Sequence, residues 1–228
     1  MNRPNPLNAE LVVSYLTLRK AIGVIGLLMP IVVRIGAHLF EGIPSNESIS
    51  AYYYTGMRDV FVGTLAAIGV FLFCYRGPDT QDNVLTNFAG LCAVAIGLFP
   101  TAAVYHPSIL QRFPNILTGE CYQSQGPIGF HIYFVAAFFL LISYLTIFRF
   151  TKPSQPYVTP QKKSRNKVYV VCGIVMVLML IAIVGIKAIW PGRSIFWPET
   201  IAILGFGVAW LTKGQAILKD RDYPVAGQ

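Results

Sequence analysis

Asp59, His106 and His131 are the residues of this chain with the chemistry to hold a metal ion. Two imidazoles and one carboxylate can serve as the three protein ligands of a catalytic zinc whose fourth position carries water. Their spacing follows no H-E-x-x-H or H-x-x-x-H pattern. No cofactor is therefore predicted, and zinc stays as the alternative, in a metal-dependent membrane hydrolase acting on lipids. A second set serves a different chemistry. Arg34, Arg58, Asp59, His131 and Glu199 combine two guanidiniums with groups that exchange protons and hydrogen bonds, which suits a small anionic ligand or a lipid headgroup. A bis-histidine haem would need rings facing each other across helices, whereas the histidines fall at one end of the predicted spans. No G-x-S-x-G elbow and no phosphate loop are present.

Those residues lie in a chain made largely of oil. Of 228 residues 54% are hydrophobic and 12% charged, against a soluble norm of roughly 25% charged. The mean hydropathy is +0.56. A soluble domain of this length would need a charged surface that this chain lacks. A membrane span needs about 20 mainly apolar residues. Six stretches meet or approach that: 21–40, 60–75, 84–105, 128–148, 168–186 and 195–211. The expectation is an all-α, polytopic membrane bundle of six transmembrane helices, one domain over 1–228, with a cytoplasmic linker at 151–167 whose three prolines oppose a regular helix. Basic Arg19 and Lys20 precede the first run, as in a signal peptide. The run is too long for one and carries Arg34, so it reads as an uncleaved span.

The net charge of +8 agrees with basic residues held on one side of a membrane, and no basic aromatic surface for nucleic acid is visible. With six spans both termini share a side. That side collects 13 Lys and Arg, from Arg3 to Arg221, and the other side collects four: Arg58, Arg112, Lys187 and Arg193. The bias places both termini in the cytoplasm. Cys74, Cys92, Cys121 and Cys172 show no C-x-x-C spacing and read as small buried hydrophobes, not as a disulfide framework.

This topology carries Arg34, His38, Arg58, Asp59, His106, Glu120, His131 and Glu199 to one outer depth. Arg34 shares a helical face with Gly23, Gly26, Pro30 and Ala37, and Asp59 shares one with Gly63 and Ala66. Small residues on one face admit a neighbouring helix, so both charges are expected to point into the bundle. Each has a plainer reading. Arg34 and Asp59 would form a buried structural ion pair, since charges in spans are paired whether or not they act. His106 and His131 would be interfacial side chains bonded to backbone. Tyr52, Tyr53 and Tyr54 would form an aromatic belt at headgroup level. Glu199 would be an acid favoured by the dipole at a helix start.

Four patches, S-I-S-A-Y-Y-Y-T-G-M-R-D-V-F-V-G (48–63), N-F-A-G-L-C-A-V-A-I-G-L-F-P-T (87–101), G-F-H-I-Y-F-V-A-A-F-F-L (129–140) and F-W-P-E-T-I-A-I-L-G-F-G-V-A-W-L-T-K-G (196–214), carry a resemblance. The chain resembles a family of uncharacterised bacterial six-span membrane proteins and is loosely similar to the DRAM-like group. The resemblance implies a multi-pass protein of the bacterial inner membrane and no catalytic residues. The functional expectation is a membrane protein that binds a small ligand or lipid headgroup in an outward-facing polar pocket. A lipid hydrolase and a small transporter are the alternatives, the latter without visible inverted repeats.

Overall fold

A computed structural model describes residues 6–43, 48–101, 129–153 and 159–219. Among the described residues there are six α-helices and no strand. They are α1 (Pro6–Glu41), α2 (Arg58–Cys74), α3 (Thr80–Leu98), α4 (Phe130–Tyr144), α5 (Pro160–Ile189) and α6 (Phe196–Lys213). A single 3-10 helix, Ser50–Tyr54, precedes α2, and α4 ends in a π-helical turn, Leu145–Arg149.

The helices alternate in direction, and each packs on its sequence neighbours while α6 returns to α1. The chain thus closes an up-and-down ring. We call the end where α1 finishes and α2, α4 and α6 begin the upper end; the other is the lower end. Chain direction alone brings His131 and Glu199 to the same end as Arg34.

Among the described residues three helices are long and apolar enough to cross a membrane: Tyr15–Glu41, Phe130–Arg149 and Pro160–Ile189. Their outward faces are oily. Leu28, Ile35, Leu140, Leu178 and Ile181 are all exposed, while Thr86, Thr146 and Thr212 are buried. Apolar side chains outward and polar ones inward is the arrangement that lipid demands and water forbids. The buried threonines return their hydroxyls to backbone carbonyls one turn back, so they leave no orphan donors.

Close helix contacts rest on glycine. Gly69 of α2 meets the Gly90 carbonyl of α3, and a Cβ there would lie 2.9 Å from that oxygen. Gly207 of α6 meets the Gly23 carbonyl of α1 at the same distance. Backbones that approach this closely gain packing where lipid supplies no hydrophobic drive between helices.

Several boundaries differ from the sequence expectation, the largest being the start of α1 at Pro6 rather than at residue 21. The helix of α5 begins at Pro160 and takes in most of the basic stretch assigned to a linker. Pro160 sits in the first turn, where its missing N–H is no loss, and the Thr159 hydroxyl caps the helix by accepting from Lys162 N at 3.1 Å. Helix α3 begins at Thr80 and ends at Leu98, short of the expected Tyr105.

Candidate functional site

Ser48, Ile49 and Ser50, which open the 48–63 patch but are not among the expected site residues, hold the polar contacts of the upper end. The 3-10 turn tucks inward because its tyrosines are core residues: Tyr52, Tyr53 and Tyr54 are all buried. The aromatic-belt reading is therefore corrected. A tyrosine can bury its ring if its hydroxyl finds a partner. Tyr54 donates to the Thr101 carbonyl at 2.7 Å, and the Tyr53 hydroxyl accepts from Arg58 at 2.8 Å. Glu41, at the end of α1, accepts from the Gly56 backbone N–H and ties down the far side of the turn.

With the turn anchored, its polar atoms fall on two buried groups. Glu199, in the first turn of α6, accepts from the Ser48 hydroxyl at 2.8 Å and from the Ile49 backbone N–H at 2.5 Å. It is 9% exposed. His131, in the first turn of α4, is 7% exposed. Its Nδ1 lies 2.7 Å from the Phe99 carbonyl, which can only accept, so Nδ1 carries the proton. In the neutral ring Nε2 then accepts from the Ser50 hydroxyl at 2.9 Å. The Ser50 backbone N–H donates to Ser48 Oγ at 3.2 Å and joins the two halves. Glu199 and His131 are thus linked through Ser48 and Ser50, from three separate parts of the chain.

Glu199 lies in no ion pair among the described residues. The exposed Lys187 reaches Glu199 and His131 only through space. Buried charges are ordinarily paired, so a carboxyl held by neutral donors alone is unusual.

Arg34 and Arg58 sit above this network in the same manner as each other. The Arg34 guanidinium is 4.8 Å from the centre of the Phe196 ring and 5.7 Å from that of Trp197. Arg58 lies 4.5 Å over Tyr53. Both are half-buried, and Arg34 forms no ion pair among the described residues.

Asp59 does not join them. It is exposed, and so is Gly63 on the same face, with open space beside it. The face of α2 that packs carries Leu65, Gly69 and Leu72 instead, so the expected Arg34–Asp59 pair does not form. His38 is also exposed. His106 and Glu120 lie outside the described residues. The two described members of the metal set are therefore an exposed carboxylate and a buried imidazole with both nitrogens engaged. No family model, curated protein or solved structure matches the chain.

The lower end holds a second buried polar cluster. Arg149, carried inward by the π turn, donates to Asp82 and to Asp79, and at 3.1 Å to Gln81. Lys152 adds a 3.3 Å contact to Asp79. Asp82 and Arg149 are 3% and 5% exposed. Around them Trp210 packs edge-on to Tyr75 and Phe150, with Arg19 over Tyr75 and Lys213 over Phe150.

Proposed function

We propose that the protein is a six-span, multi-pass protein of the cell membrane, with both termini cytoplasmic, that binds the anionic headgroup of a lipid or a small anion at its outward-facing upper end. Arg34 is the anion contact and Arg58 its neighbour. The observation that carries this reading is the placement of Arg34: half-buried, stacked on Phe196 and Trp197, and without a carboxylate partner among the described residues. A guanidinium over aromatic rings is held by their negative faces and keeps its five N–H donors for a planar anion. Trp197, 64% exposed, supplies the amphipathic ring that lies at headgroup depth. The excess of Lys and Arg on the lower side supports the orientation.

Native mass spectrometry of the purified protein with phosphatidylglycerol, phosphatidylcholine and inorganic phosphate tests this. Phosphatidylglycerol should bind in preference to phosphatidylcholine. Arg34→Gln should weaken it about tenfold, the scale of one charge-assisted contact, and Arg34→Lys should restore part of the loss. Displacement by phosphate would mark a free anion as the ligand. Equal binding of both lipids to wild type and Arg34→Gln would refute the reading.

A further inference from the structure

Beneath the Ser48–Tyr54 turn lies a cavity of about 50 Å³ in the middle of the ring of helices. Four phenylalanine rings line it, Phe61 from α2, Phe138 and Phe139 from α4, and Phe206 from α6. Among the described residues its polar lining is Ser50 and Glu199, and the rest is aliphatic, Met29, Leu65 and Ile68 among it. Water needs several polar partners to occupy such a space, and two at one edge serve it poorly. An apolar occupant would leave the carboxyl without a counter-charge. The combination of several aromatic faces and one carboxylate has a known complement in physical chemistry: a small organic cation, drawn to the negative ring faces and to the acid together.

We propose that this cavity is a binding site for a small alkylammonium ion, with Glu199 as counter-ion and the rings of Phe61, Phe138, Phe139 and Phe206 as its cage. Three observations converge on it. Glu199 is buried and lies in no ion pair among the described residues. Its donors, Ser48 Oγ and the Ile49 and Ser50 backbone N–H groups, are all neutral, so none of them supplies a counter-charge. The volume suits a very compact group: an apolar cavity of about 150 Å³ holds benzene, so about 50 Å³ holds about two non-hydrogen atoms, the size of methylammonium. His131 does not compete, because both its nitrogens are engaged with Phe99 and Ser50. The site is separate from the Arg34 anion contact, so either can fail without the other.

Thermal unfolding of the full chain in detergent tests it, with methylammonium chloride as the probe and sodium chloride and methanol as controls for salt and for size. The wild type should show a saturable rise of several degrees with methylammonium alone, as for any ligand that binds only the folded state. Glu199→Gln, which keeps an acceptor for Ser48 and Ile49, should abolish the rise. Phe206→Leu, which keeps the volume nearly filled but removes a ring, should weaken binding about fivefold. Should Glu199→Gln fail to fold, the Phe206→Leu comparison and the wild-type preference for the cation over methanol carry the test. An equal response to methanol, no saturable response in the wild type, or an undiminished one in Glu199→Gln would overturn the proposal.

Discussion

The two ends of the bundle both bury acids, and they treat them oppositely. At the lower end Arg149 meets two carboxylates, and Lys152 backs one of them. Those charges offset one another inside the molecule, while Arg19 and Lys213 of the same end lie over rings as Arg34 does. At the upper end Glu199 is held by a hydroxyl and a backbone N–H, and Arg34 stacks on rings. Acid and guanidinium share this end of the bundle and do not pair. Such internal compensation describes a brace: it locks the end of α4 to the start of α3. Uncompensated charge on both signs describes a place with room for something else. Burial alone does not separate the two, since Asp82 and Glu199 are both core residues. Their partners do.

The sharpest way to break the comparison is at the brace. Asp82→Ala leaves the Arg149 guanidinium buried beside a half-exposed Asp79. A buried pair that loses one member is costly. We expect the largest loss of any change discussed here, on the order of 10 °C in Tm in detergent. Replacing both partners, Asp82→Leu with Arg149→Met, should recover much of it, because a well-packed apolar pair is often as good as an ion pair. Recovery read by thermal unfolding would show that the cluster acts structurally.

Glu199→Leu comes next. It strands the Ser48 hydroxyl and the Ile49 N–H in an apolar site, at a cost of about 1–3 kcal/mol by chemical denaturation. Ser50→Ala should cost less, about 1 kcal/mol, since it removes one hydrogen bond to His131 and leaves the Phe99 bond in place. If Ser50→Ala proved as damaging as Asp82→Ala, the upper network would be a second brace.

The smallest effect is a pH effect. Hydrogen bonds from Lys152 and then Arg149 hold the Asp79 carboxyl below its usual 3.8. A lowered carboxyl stabilises the fold at pH values above 3.8, and that contribution fades as pH falls below it through the shifted value. Asp79 is half-exposed, so its share is small. Asp79→Asn should lower stability at pH 7 by that small amount and flatten the acid limb below about pH 4 to match, so that variant and wild type converge at the lowest pH.

Much of this was legible in the sequence. Apolar runs gave six helices because their length and hydropathy leave few alternatives, and alternation of direction sent Arg34, His131 and Glu199 to one end. The partners were harder to read. Ser48 and Ser50 are small and uncharged, and only the inward turn of three tyrosines aims them at Glu199 and His131. A tyrosine has an apolar body and a polar tip, so its type does not choose between belt and core. Asp59 misled because Gly63 and Ala66 looked like a packing face, whereas α2 packs through Leu65 and Gly69. The lower brace had a visible signal that went unused. Acids open α3 while an arginine closes α4, and in an up-and-down bundle those ends must meet.

The central claim is that the upper acid belongs to a site and the lower acid to a brace. One paired measurement tests it: thermal unfolding of Glu199→Gln beside Asp82→Asn, the same carboxylate-to-amide change at each end. Asp82→Asn should lower Tm by several degrees because Arg149 loses a charge partner that an amide cannot replace. Glu199→Gln should leave Tm within about two degrees of the wild type, since the amide oxygen still accepts from Ser48 and Ile49. An equal and large loss in both variants would contradict the account and make Glu199 a brace as well.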